Sequence, residues 1–183
     1  DYTVISNSND LRKLVDIWRT GNFKVFSVDC EWAGGNHVDG ALRSTQFCWA
    51  PGVACYVRWM DDKGNYVFDI PYKEAGDILA AWLNKPDVKY IGHHFSADAP
   101  WLNYKLGLDW YEKCIFDTEF AQQTANEYEE LSLERIAMKY TDLGRYDLPL
   151  VLWKKQNKAL MVDGGYGAIP DALLIDYAMK DVD

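Results

Sequence analysis

Apolar and polar positions alternate along this chain in two rhythms, one of helices and one of strands. Leu11, Leu14, Val15 and Trp18 recur at helical spacing. They predict an amphipathic helix over 9–20, with Ser8 or Asn9 as N-cap and Gly21 just past its end. The β-branched and aromatic run Lys24 to Asp29 predicts a strand. Thr45 to Ala50 and Val53 to Trp59 flank the turn dipeptide Pro51-Gly52 and read as a hairpin. Residues 74–84 follow as helix, Val88 to Gly92 as strand, 97–106 as helix and Cys114 to Asp117 as a short strand. Helices are expected over 119–128, 132–140 and 148–160. After the glycine-rich loop Gly164-Gly165-Tyr166-Gly167, Pro170 stands where an N1 proline belongs, opening a last helix that runs to the end. One helix, several strands, alternating helix and strand, then helices: this order predicts an α/β domain with a mixed sheet flanked by helices. Neither repeat nor linker interrupts it, so 1–183 reads as a single domain.

Composition agrees. The 183 residues are 49% hydrophobic and 15% aromatic, enough for one full core and too aromatic for a disordered chain. Cys30, Cys48, Cys55 and Cys114 show no C-x-x-C spacing and read as reduced thiols of an intracellular protein. Nothing near Asp1 resembles a signal peptide, and no apolar run approaches the ~18 residues of a membrane helix, so no membrane partner is expected. Beginning at Asp1 and stopping inside a helical pattern, the chain reads as a piece of something longer. A net charge of −9 argues against a protein that coats nucleic acid through its own positive charge.

The acidic residues carry a more specific pattern. Asp29 and Glu31, in FSVDCEW, lie at the carboxyl end of the first predicted strand, where open α/β sheets bind ligands. Two residues apart on a strand, they point to one face, and like charges so placed repel unless a cation sits between them. Asp98 follows a later strand in IGHHFSADAPWL, and Tyr177 and Asp181 share one face of the last helix in YAMKD. Each fragment alone is ordinary: an Asp before a helix is most often an N-cap, and a second D-x-E triplet stands at Asp117-Thr118-Glu119. The ordered combination is not ordinary. Glu119 and Tyr177 have no strand-then-Asp motif between them, so the second triplet reads as scaffold beside the site.

That ordered set resembles the 3′–5′ exonucleases of the ribonuclease H-like fold that carry four carboxylates and a tyrosine. It is most similar to the proofreading domain of family A DNA polymerases, with further matches in APGVACYV, CIFDTEF, LSLERIAMKY and GYGAIP. The resemblance implies that Asp29, Glu31 and Asp181 hold one divalent ion and that Asp29 bridges to a second, supported by Asp98. Tyr177 would orient the attacking water. Hard ions that prefer oxygen ligands, Mg²⁺ or Mn²⁺, suit such a site. The chain departs from the family at His94, where Asn is usual, and at Ala97, where Tyr or Phe is usual. These changes bear on how a strand is held.

Trp32, Phe95 and Tyr166 are candidates for stacking on unpaired bases, and His94 for touching substrate in place of the Asn. Residues 135–158 hold Arg135, Lys139, Arg145, Lys154, Lys155 and Lys158 against Asp142 and Asp147, either a guide for a phosphate backbone or a solvated helix face. The implied partners are a single-stranded DNA 3′ end and a polymerase domain of the same parent chain, in the cytoplasm of a bacterial or phage-infected cell. The rival readings are a ribonuclease D-like exoribonuclease and a catalytically silent, exonuclease-like binding module.

Overall fold

The computed structural model describes residues 1–161 and 165–183. Its elements are β1 (Tyr2–Ile5), α1 (Ser8–Thr20), β2 (Val25–Ala33), β3 (Ala41–Ala50), β4 (Val53–Arg58), α2 (Tyr72–Leu83) and β5 (Lys89–Gly92). Then come α3 (Ala99–Leu106), β6 (Cys114–Asp117), α4 (Thr118–Ala125), α5 (Leu133–Tyr140), α6 (Leu148–Gln156), a 3₁₀ turn at Lys158–Leu160, and α7 (Asp171–Val182). The strands form a mixed sheet in the order β1-β4-β3-β2-β5-β6. Only β3 runs against its neighbours; the pairs β1–β4, β2–β5 and β5–β6 are parallel. This is the expected α/β architecture.

Helices cover both faces. On one, Trp18 of α1 sits edge-on to Phe26 and Phe47 of the sheet, in a core shared with Leu79 and Trp82 of α2 and Leu102 of α3. Helix α2 approaches α3 closely at Gly76, where an added Cβ would lie 2.2 Å from the carbonyl oxygen of Leu106. On the other face, α7 packs Leu174, Ala178 and Met179 against Tyr56 and Leu150. Its first turn is anchored by Asp171, which takes ion pairs from the fully buried Arg43 and from Arg58.

Several boundaries differ from the sequence expectation, each for a local reason. The N-cap of α1 is Asn7, whose side chain accepts from the Asp10 N–H at 2.9 Å, rather than Ser8 or Asn9. Pro170 is extended (ψ 136°) and precedes α7 as its N-cap residue, so the helix opens one residue later than expected. The 148–160 helix stops at Gln156 and tightens into the 3₁₀ turn. β1 was not expected; four residues are too few to announce a strand, and it exists because it pairs with β4 from Tyr2↔Ala54 to Ile5↔Val57. Gly52, at φ +73°, makes the hairpin turn as expected. The cysteines are free, with Cys30, Cys48 and Cys55 buried. Gly164 of the glycine-rich loop lies outside the described residues. Among those described, no helix is long and apolar enough to cross a membrane.

Candidate active site

β2 runs on to Ala33 because β3 pairs with it through Asp29↔Gln46, Glu31↔Ser44 and Ala33↔Ala41. Asp29 and Glu31 therefore lie within a central strand, not at its end. On the other side, β5 pairs with β2 only as far as Ser27↔Ile91. Beyond that point the side chain of Asp98 takes over, its Oδ1 accepting the Cys30 N–H at 3.2 Å and the Cys30 thiol at 3.2 Å. Asp98 occupies the cap position of α3 yet makes no side-chain cap bond there. From the opposite layer α7 brings Asp181, and oxygen atoms of Asp29, Glu31 and Asp181 all lie within 4.8 Å of one another.

These groups are withdrawn from water: Glu31 is 5% and Asp98 4% exposed. Burial pushes Asp29 well up from the carboxylate range, helped by the charges of Asp98, Glu31 and Asp181. Glu31 rises through burial and then Asp181. Asp98 and Asp181 are each pushed up to about 7, chiefly by burial. None of the four forms an ion pair with Lys or Arg among the described residues. Buried carboxylates that repel one another are costly unless a cation joins them, and an all-oxygen donor set suits a hard divalent ion. The residues present fit such an ion.

Tyrosines line the α7 side. Tyr177 sits one turn before Asp181, and burial together with the Asp181 charge raises its phenol further above its ordinary range, so it stays protonated. Tyr146 donates its hydroxyl to Asp181 Oδ1 at 2.6 Å and stacks on Tyr177 with ring centroids 5.9 Å apart. Tyr166, fixed by its N–H to the Trp32 carbonyl at 2.8 Å, carries the Lys154 ammonium 3.9 Å from its ring centroid. The Lys154 charge acts on Glu31 and Asp181. Sequence reasoning did not single out Tyr146. Lys154 appeared only within a basic stretch, and its distinguishing mark, a half-buried position facing carboxylates, exists only in three dimensions.

The stacking candidates divide. Trp32 is half-buried, with one face already against Trp101 at 5.0 Å. Tyr166 is half-buried beside the carboxylates. Phe95 must be corrected: at 3% exposure its ring belongs to the core, packed over Gly92 and facing Tyr90. Its main chain is held in that direction by Asp117 Oδ2, which accepts the Phe95 N–H at 2.9 Å. His94 remains exposed in the left-handed region (φ +49°), its N–H on Asp117 Oδ1 at 3.1 Å and its ring on Glu119, which raises its pKa. Thr118 Oγ1 meets His93 Nδ1 at 2.9 Å. The second D-x-E triplet thus holds the histidine segment beside the carboxylates. In the basic stretch Arg135, Lys139 and Arg145 are already paired with Glu130, Glu129 and Asp147.

A small cavity beside Asp29 and Asp181 is lined by Ser27, Gly92, His93 and Thr118.

Comparison with known proteins bears on the family and the fold. A family model described as 3′–5′ exonuclease, of the DNA polymerase A type, matches residues 2–183. The DNA polymerase of Escherichia phage T5 is 33% identical over 110 residues, covering 55% of this chain and 13% of that polymerase. The catalytic core of RRP6 from Trypanosoma brucei superposes with a TM-score of 0.69 at 20% identity, covering 100% of this chain and 43% of the other. RNase D of Escherichia coli, an exoribonuclease involved in structured RNA processing, gives 0.57 at 14% identity, covering 100% and 52%. The two structural likenesses bear on the fold alone, and this chain spans barely half or less of each relative's length. Because the family model runs across nearly every residue of a ribonuclease H-like sheet, the chain belongs to the 3′–5′ exonuclease family of the DNA polymerase A type.

Proposed function

We propose that this domain removes nucleotides from the 3′ ends of DNA with the help of two divalent ions, as the proofreading part of a DNA-directed DNA polymerase. The observation that carries the reading is the convergence of Asp29, Glu31 and Asp181 within 4.8 Å, on elements from opposite layers. Asp29, Glu31 and Asp181 would hold one ion, and Asp29 with Asp98 the second; Mg²⁺ suits these oxygen ligands, with Mn²⁺ as an alternative. Bound there, such ions stabilise charge on the attacking and leaving oxygens of a phosphodiester and make water more acidic.

The chain's own groups have separate tasks. The Cys30 N–H holds the Asp98 carboxylate in place. Tyr177, protonated at neutral pH, is no base; its hydroxyl orients water by hydrogen bonding. Trp32, His94 and Tyr166 border the carboxylates and would steady the terminal nucleotide. The phage T5 relative favours DNA as substrate and a polymerase domain of the same polypeptide as partner, in the cytoplasm of a bacterial or phage-infected cell, with 1–183 acting as one domain. Within a net charge of −9, the four carboxylates of the site would meet phosphate through cations rather than repel it.

Digestion of matched 3′-labelled single-stranded DNA and RNA with Mg²⁺ or Mn²⁺ tests this. Faster release from DNA is expected. Strong preference for RNA would replace the reading with a ribonuclease D-like one, and no release from either would leave a silent binding module.

A further inference from the structure

Tyr146 lies in the turn between α5 and α6, outside the motifs, yet it is 7% exposed and touches two residues of the candidate site. Its hydroxyl donates to Asp181 Oδ1 at 2.6 Å. Its ring lies 5.9 Å from that of Tyr177, at an interplanar angle of 29°. An ion pair braces the turn. Arg145 Nε and Nη2 grip the Asp147 carboxylate at 2.7 and 2.8 Å, with Asp147 4% exposed, and Leu150 buried one turn further on. The phenol is therefore held from the turn that opens α6, whose Leu150 packs against α7, the helix that carries both of its partners.

We propose that Tyr146 is a positioning residue: its hydroxyl fixes the plane of the Asp181 carboxylate while its ring limits the tilt of Tyr177. The physical need is specific. Asp181 is the one member of the three-carboxylate cluster that does not come from β2, so strand geometry does not set its orientation. An Asp side chain on a helix rotates about two bonds, and divalent-ion sites depend on outer hydrogen bonds that remove this freedom. Tyr146 supplies such a bond, and by stacking it couples the carboxylate to the residue one helical turn away. The inference rests on the proposed metal-binding role of Asp181.

The test is Mn²⁺ binding to the 183-residue protein by calorimetry, with Tyr146→Phe and Asp181→Asn beside the parent. Tyr146→Phe keeps the stacked ring and loses only the hydroxyl. It should weaken Mn²⁺ binding about tenfold, the low end for outer partners of metal ligands. Its metal-free melting temperature should fall only by what the loss of one hydrogen bond to a carboxylate explains, with the fold intact. For removal of nucleotides from a single-stranded oligonucleotide, kcat should fall with KM unchanged. Mn²⁺ binding by Tyr146→Phe as tight as in the parent, while Asp181→Asn loses it, overturns the role of Tyr146 alone. Undiminished binding by Asp181→Asn overturns the site reading and this inference with it.

Discussion

Asp98 is bonded to the main chain of Cys30, the residue that separates Asp29 from Glu31. A carboxylate here does what the next residue of β5 would do in an uninterrupted ladder, since β5 stops pairing with β2 at Ser27↔Ile91. The site is thus built into a gap in the sheet, and the group that fills the gap is charged and buried. In the proposed metal-binding role, such a residue would serve function at the expense of stability.

Asp98→Asn separates these two roles. The amide oxygen still accepts from Cys30, but the buried charge is gone. The metal-free variant should be more stable than the parent at pH 7 by about 2 kcal/mol, a discounted share of the cost implied by a carboxyl raised to about 7. Nucleotide removal should be lost. Urea unfolding measures the first, and a variant less stable than the parent would contradict it.

The same charges set a pH dependence. Asp98 and Asp181 are raised to about 7, while an unfolded chain releases these protons near ~4. Between those values the folded state binds more protons than the unfolded one, so stability falls as pH rises. Without divalent ions, urea midpoints should decline from pH 4 to pH 7; with Mg²⁺ the decline should shrink or vanish. A metal-free midpoint that climbs over this range would show that the carboxylates are not destabilising.

Asp29→Ala removes the group placed between the other carboxylates. Release of nucleotides from a single-stranded 3′ end should drop at least about 10³-fold, equivalent to about 4 kcal/mol of barrier. An unchanged rate in a folded variant would refute the site assignment.

Lys154→Met removes the cation whose charge acts on Glu31 and Asp181. If its ammonium also meets a phosphate, single-stranded oligonucleotide binding should become less salt-dependent, the slope of log K against log salt shrinking by about 0.7. A slope equal to that of the parent would confine Lys154 to balancing carboxylate charge.

Gly76→Ala probes the scaffold far from the site. Its Cβ would press on the Leu106 main chain, which cannot swing aside as a side chain does. Overpacking of this kind costs about 1–3 kcal/mol. Denaturation should show this loss with Mg²⁺ dependence intact; an equally stable variant would mean that α2 and α3 separate easily.

Much of this protein was legible in its sequence. Periodic apolar spacing located α1, and the Pro51-Gly52 turn located the β3–β4 hairpin, because both signals are local: neighbours along the chain are neighbours in space. The order of Asp29, Glu31, Asp98 and Asp181 relative to strands and helices marked them as candidates, and folding brings Asp29, Glu31 and Asp181 together. Tertiary structure alone decided what depends on residues distant in sequence. It extended β2 through its acidic residues by pairing them with β3, and it created β1 by pairing it with β4. It turned Phe95 into the core while leaving the adjacent His94 outside, through two main-chain bonds to Asp117. It also brought Tyr146 to Asp181, 35 residues away, where a phenol with no motif around it meets a carboxylate. Sequence named the groups able to carry charge; packing determined which of them are withdrawn from water together without an ion pair among the described residues, and burial is what gives charge its energetic weight.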